Sequence, residues 1–288
     1  MLTRPAIDCS DQLGEGPHWD DRAGELLWVD ITRGRIHAWA PPAGTVRTEA
    51  LGGEVSAIIP RADAPGHVVA AGHRLLLRDG EHARALAVVE EGLDDNRLND
   101  CKCDPQGRLW AGTMSRTRTP GVAALYRLDA GGRLERVIAG TTISNGLAWS
   151  PSGDAMYFID STTQRIDAFD FDGATGAIAN RRTLADIDAA DGLPDGMAVN
   201  THGGIWVCLF GGAAIRRYSP SGALEASIEL PTTNPTSPVF GGAELRTLYI
   251  TTARHRLTEA QLADEPLAGA LLTLDPGVQG LPGNRFAG

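Results

Sequence analysis

Apolar residues along this chain come in short runs separated by turns of Gly, Pro and Asp, with almost no sustained 3.6-residue periodicity. The strongest runs are Leu26-Leu-Trp-Val-Asp30, Arg108-Leu-Trp-Ala-Gly112, Met156-Tyr-Phe-Ile-Asp160 and Gly204-Ile-Trp-Val-Cys208, and each reads as a strand. Each follows a segment on one template: Glu15-Gly-Pro-His-Trp19-Asp20, Asn99-Asp-Cys-Lys-Cys103-Asp104, Asn145-Gly-Leu-Ala-Trp149-Ser150 and Asp195-Gly-Met-Ala-Val199-Asn200. A third strand comes next, over Arg35–Trp39, Ala124–Leu128, Arg165–Phe169 and Ala214–Tyr218. Two weaker copies begin near Ser56 and Ser237.

The anchors at 15, 56, 99, 145, 195 and 237 are 41, 43, 46, 50 and 42 residues apart, the length of a four-stranded unit. Six such units predict an all-β fold, a single six-bladed β-propeller domain over residues 1–288, whose radial arrangement leaves only short protected edges. After the last copy's third strand, near Ala270–Leu274, the chain turns to Pro and Gly; the missing fourth strand is expected from the N-terminus, roughly Ala6 to Cys9. Two stacked β-sandwiches would need a linker, and no composition shift divides the chain.

Composition agrees with this picture: 288 residues, 42% apolar, 35 Gly and 17 Pro supply a core and many turns. A formal charge of −10, with 26 scattered Lys and Arg, argues against a nucleic-acid backbone or an anionic membrane as partner. No apolar run approaches the roughly 20 residues of a membrane span. The start, Met1-Leu2-Thr3-Arg4-Pro5, lacks the apolar stretch of a secretory signal, so a soluble cytoplasmic protein is expected. Cys9, Cys101, Cys103 and Cys208 have no zinc-like spacing and read as buried free thiols.

In a propeller, equivalent positions on the innermost strands converge on one mouth of the channel. Glu15, Asn99, Asn145 and Asp195 share such a position, and each is followed by Gly or Asp, which would leave room there. Two carboxylates and two amides crowded together repel unless a positive charge sits among them. Oxygen donors without Cys or His suit Ca²⁺, Mg²⁺ or Mn²⁺, and Fe²⁺ or Zn²⁺ can also accept them. There is no nucleophile elbow, zincin motif or P-loop. Asp170-Phe-Asp172-Gly173 reads as a hairpin turn, and His18, His202 and His255 as surface or packing residues.

Leu13-Gly-Glu-Gly-Pro-His-Trp19, Asn96-Arg-Leu-Asn-Asp100, Gly107-Arg-Leu-Trp-Ala-Gly-Thr-Met114, Ser144-Asn-Gly-Leu-Ala-Trp-Ser-Pro151, Pro194-Asp-Gly-Met-Ala-Val199, Phe240-Gly-Gly242 and Thr247-Leu-Tyr-Ile-Thr-Thr-Ala-Arg254 occur in this order. Together they resemble the senescence-marker-protein/gluconolactonase/luciferin-regenerating-enzyme family, also called regucalcin-like. The resemblance implies a propeller holding one divalent metal ion and hydrolysing sugar lactones, such as xylono-, arabinono- or gluconolactone, to aldonic acids. It places metal ligands on Glu15, Asn145 and Asp195, and substrate contacts on Arg97 and Asn99. Many members carry a Glu in the loop after Gly-Thr-Met, where this chain reads Ser115-Arg-Thr-Arg-Thr-Pro-Gly121. Likeness to bacterial sugar-acid enzymes around Phe240–Gly242 and Leu257–Glu259 points to pentonolactones.

The implied chemistry has the metal polarise the lactone carbonyl while Asp195 accepts a proton from the attacking water. Coordination lowers a carboxylate's basicity, which leaves open whether Asp195 or the metal activates that water. Two alternatives stand beside it: a non-catalytic Ca²⁺-binding regulatory protein, which would need selective Ca²⁺ affinity, and a promiscuous metal-dependent esterase or organophosphatase.

Overall fold

Each repeated segment folds as the first strand of a four-stranded antiparallel sheet, and six such sheets form in sequence. The computed structural model describes residues 3–42 and 44–288; Met1 and Leu2 of the start, and Ala43, lie outside the described residues. The first strands are Gly14–Asp20, Val55–Pro60, Asn96–Cys103, Ser144–Trp149, Leu193–Val199 and Pro235–Gly241. Each touches the next, and the last returns to the first, so they form the inner ring of a six-bladed β-propeller.

The ring is closed by Thr3–Ile7, which pairs antiparallel with Leu271–Leu274 as the outermost strand of the sixth blade, Thr3 opposite Leu274 and Ile7 opposite Leu271. The closing strand therefore starts and ends earlier than the predicted Ala6 to Cys9. An outermost strand needs no continuous apolar face, so Thr3, Arg4 and Pro5 pair where hydropathy marks no strand, and Pro5 is tolerated at the edge.

The polar residue that ends each strong template segment closes the following turn. Asp20 accepts from the N–H groups of Arg22 and Ala23, Asp104 from Gln106 and Arg108, Ser150 from Asp154 and Ala155, and Asn200 from His202 and Gly204. Asp172 does the same for Ala174 in the hairpin predicted there.

Blades are buried on both faces, which is why their second strands read as unbroken apolar runs rather than alternating ones. Six apolar clusters fill the six interfaces between neighbouring blades. Trp28, Trp110, Phe158 and Trp206 occupy one repeated position in four of the blades and are fully buried. Cys101 and Cys103 share one cluster, as their spacing predicts, and all four thiols are free. Phe240 belongs to the fifth–sixth interface, edge-on to Trp206.

The C-terminal segment does more than end the last blade. It crosses one face of the ring: Thr201 N–H donates to Gln279, Asn284 to the Cys103 carbonyl, Phe286 N–H to Pro60 and Ala287 N–H to Gly107. Phe286 is buried in the interface of the second and third blades. This strap covers one mouth of the channel and leaves the opposite one, where the anchors lie, open.

Candidate active site in the central channel

All six inner strands carry a register break at their anchor: between Glu15 and His18, Val55 and Ala57, Leu98 and Cys101, Asn145 and Leu147, Pro194 and Met197, and Pro235 and Pro238. A β-bulge re-aims a side chain out of the strand's alternation, and at Glu15, Asn99, Asn145 and Asp195 the anchor faces the channel. Buried carboxylates set the approach to two of these bulges. Asp30 accepts from the Gln12 and Leu13 N–H groups ahead of Glu15, and Asp160 from Thr142 and Ile143 ahead of Asn145.

Glu15, Arg97, Asn99, Asn145 and Asp195 all line one cavity of about 180 Å³ at the open mouth. All five are buried, between 5% and 9% exposed. Asn145 Nδ2 donates to an Asp195 carboxylate oxygen and to Ser161 Oγ, the latter at 3.2 Å. Arg97 donates through Nη1 to the Leu98 carbonyl at 2.8 Å and to Asn99 Oδ1 at 2.9 Å, and its Nε lies 3.5 Å from Glu54. Asn99 Nδ2 donates to the Ser144 carbonyl at 3.1 Å, so both ends of this amide are engaged and it holds the Arg97 fork in place. Ser56 and Ser237, the anchors of the weaker copies, are buried but do not line the cavity.

The glycines after the anchors do not open the mouth, as the sequence suggests; they let neighbouring blades close up. A Cβ on Gly146 would lie 2.7 Å from the Asp195 carbonyl, and one on Gly196 would lie 2.5 Å from Ser237 Cβ.

The donor set fits a hard cation. Glu15 and Asp195 bring two carboxylates, and Asn145 Oδ1 is buried without a hydrogen-bond partner. Among the described residues no three His, Cys, Asp or Glu side chains gather as a metal cluster; this set is two carboxylates and an amide oxygen. Without a cation its charges are strained. Burial first, then repulsion from Asp100, raises the Glu15 carboxyl to about 8, against the pull of the Gly16 N–H, Arg97 and Lys102. Burial, then Glu15, pushes Asp195 well up too.

A carboxyl raised in the folded state contributes stability that is fully present below its ordinary 4.5 and is lost as pH rises through about 8. In chelator, Tm is therefore expected to fall over that interval, and to fall less in Glu15→Gln. Parallel pH profiles for the two proteins, measured by calorimetry, would contradict this.

The match to a family model now bears on these residues. The model described as "SMP-30/Gluconolactonase/LRE-like region" matches residues 13–254, which include every residue of the set. The chain belongs to this family. Within the SMP-30/gluconolactonase/LRE-like family it is similar to regucalcin of Danio rerio, 37% identical over 285 residues that cover 96% of each chain. A protein of Bacillus subtilis (strain 168), YvrE, named with a provisional assignment as a sugar lactone lactonase, is 36% identical over 96% of this chain and 95% of its own. A crystal structure titled as a calcium-binding protein, regucalcin, from Agrobacterium tumefaciens str. C58 superposes with a TM-score of 0.93 at 28% identity, covering 99% of this chain and 97% of that one.

Several residues around the cavity carry no repeat signal. Glu54 serves two guanidinium groups, Arg97 and Arg116. Arg118, His255 and Arg256 form the rim with Met114 and Phe210. His255, read from the sequence as a surface or packing residue, thus faces the cavity. His18 packs at the covered end, where burial and then Arg285 lower its pKa to about 4. Phe240 also faces that end, away from the candidate site.

Proposed function

We propose that this protein is a divalent-cation-dependent lactonase that opens a sugar lactone to the corresponding aldonic acid. The observation that carries the reading is the convergence of two buried carboxylates and an unpartnered amide oxygen beside a fixed guanidinium, in a cavity small enough to select a single ring. Pockets for drug-sized ligands run roughly 300–1,000 Å³, well above this one. Family membership and the name of the Bacillus relative support the same class of reaction.

Glu15, Asn145 and Asp195 would hold the cation. When bound, it supplies Lewis-acid polarisation of the lactone carbonyl. Asp195 takes a proton from water as the new C–O bond forms, and the proton passes to the ring oxygen as the ring C–O bond breaks; one water is consumed and one hydroxy acid leaves. Arg97 Nη2, with no partner among the described residues, is free to hydrogen-bond a substrate oxygen, and the Asn99 amide and the Leu98 carbonyl fix its direction.

The test is acid release, followed by pH-stat, over a panel of five- and six-membered aldonolactones on metal-stripped protein, with Ca²⁺, Mg²⁺, Mn²⁺, Zn²⁺ or Fe²⁺ added back. The expected result is negligible turnover without metal and turnover of a preferred lactone restored by at least one of these ions. Tight Ca²⁺ binding with no lactone opened above the spontaneous rate would favour a calcium-binding regulator and remove the mechanism.

A further inference from the structure

Two guanidinium groups at the mouth are left without partners. Arg118 lies in the loop after Leu109–Ser115 of the third blade, and Arg256 in the loop after Thr247–Thr252 of the sixth. These blades stand opposite one another in a ring of six, so the two side chains approach the cavity from opposite sides. Neither side chain makes a hydrogen bond or ion pair with any described residue, whereas Arg97 and Arg116 share Glu54. Burial, and then the charge of Arg256, hold the Arg118 guanidinium below its ordinary range. After burial, His255 beside them is lowered by Arg256, Arg97 and Arg118 together.

Arg118 and Arg256 both sit in the left-handed region, at φ 57° and 65°, a conformation disfavoured for any residue with a Cβ. Both positions lie in hydrogen-bonded turns, Arg118 N–H donating to Ser115 and Leu257 N–H to Arg254, so the feature to explain is the pair of like charges at one cavity in a chain with ten more acidic than basic residues. The cation does not account for them. A divalent ion held by Glu15 and Asp195 would take up those two charges, Glu54 is shared by two other arginines, and no carboxylate bonds Arg118 or Arg256, Asp195 acting on Arg118 only at a distance. A neutral sugar ring offers them only hydroxyl and ring oxygens. A carboxylate or phosphate offers two or more anionic oxygens to two forks, a charge-assisted match for half-buried Arg118 and exposed Arg256.

We propose that the substrate is an anionic lactone, a lactonised sugar diacid or sugar-acid phosphate, whose charged group, at the end away from the reacting carbonyl, is held between Arg118 and Arg256. This rests on the lactonase reading above and names the substrate class for the same site. The loop after Met114 brings Arg116 and Arg118 to the cavity, and with Arg116 paired to Glu54 only Arg118 is left to meet a substrate anion from this side.

The experiment compares kcat/KM for lactones of equal ring size that are neutral, carboxylate-bearing or phosphate-bearing. The wild type should prefer an anionic member at least tenfold, and whichever of the two gives the larger ratio identifies the anion. The preference should weaken as ionic strength rises. In the Arg118→Gln/Arg256→Gln double variant the anionic-to-neutral ratio should fall at least tenfold, mainly through KM, while Arg118→Lys/Arg256→Lys retains part of it. A wild-type ratio of one or less, or a ratio unchanged in the Gln variant, overturns the inference. If no lactone is opened, it is the lactonase reading that has failed, and calorimetric binding at fixed Ca²⁺ then decides this one. Galactarate held at least tenfold tighter than neutral galactitol, with the difference reduced at least tenfold in the Gln variant, supports the anion site; equal binding, or a difference that the Gln variant keeps, overturns it.

Discussion

Asp195→Asn is expected to lower kcat/KM for the preferred lactone by about a thousandfold or more, placing it within or beyond the 10²–10⁴ that one positioned proton acceptor supplies. The substitution keeps the shape of the side chain but removes its negative charge and its basicity. Asp195 contributes in two ways: it is one of two carboxylates able to balance a divalent cation, and its buried oxygens lie beside Asn145 in the cavity wall. Glu15→Gln removes the other carboxylate and is expected to act through cation affinity. The two roles separate by adding cation: saturating metal should rescue Glu15→Gln further than Asp195→Asn. The added cation should also stabilise wild type, by about 2.7 kcal/mol at a hundredfold excess over Kd, and stabilise either variant less. An Asp195→Asn protein that retained wild-type turnover after chelation and dialysis would remove both the cation and the base from the mechanism.

Gly196→Ala should damage the site without touching a polar group. Gly196 follows Asp195 in the fifth blade's bulge, and its backbone lies outside the left-handed region, so alanine is acceptable locally. The added methyl would lie 2.5 Å from Ser237 Cβ and 2.7 Å from Ser237 Cα, and only displacement of one inner strand from the next relieves that. Overpacking of this kind costs about 1–3 kcal/mol, roughly 2–10 °C in Tm for a domain of this size. The displaced strand carries Asp195, and a shift near 1 Å at a reacting group can cost about a hundredfold in rate. Activity should therefore fall much further than the remaining folded fraction explains. Ser237→Gly in the same chain should recover part of both. A variant with wild-type Tm and kcat would show that the two strands are not closed against each other.

The repeat made the fold legible because each blade must bury two faces. A strand enclosed on both sides reads as an apolar run, and Trp28, Trp110, Phe158 and Trp206 mark the same place in four blades. The outer strands, such as Arg47–Ala50, are exposed and carry no such pattern. For the same reason the closing strand Thr3–Ile7 begins before the apolar residues that hinted at it. The anchors were legible through symmetry, since equivalent positions on a ring face one axis. The glycines beside them were visible but misread, because only neighbouring strands in place show what a Cβ would strike.

From the sequence alone come the six-bladed ring, its strand order and the convergence of Glu15, Asn99, Asn145 and Asp195, all consequences of a period that each blade repeats. Tertiary structure alone decided which mouth stays open, because the strap ending in Phe286 finds its partners on blades with which it shares no repeat. It alone decided which charges are spent and which are free: Glu54 draws in Arg97 and Arg116, while Arg118 and Arg256 meet across the mouth without a carboxylate. A repeat encodes contacts made by equivalent positions, whereas loops from opposite blades meet only because the ring has closed.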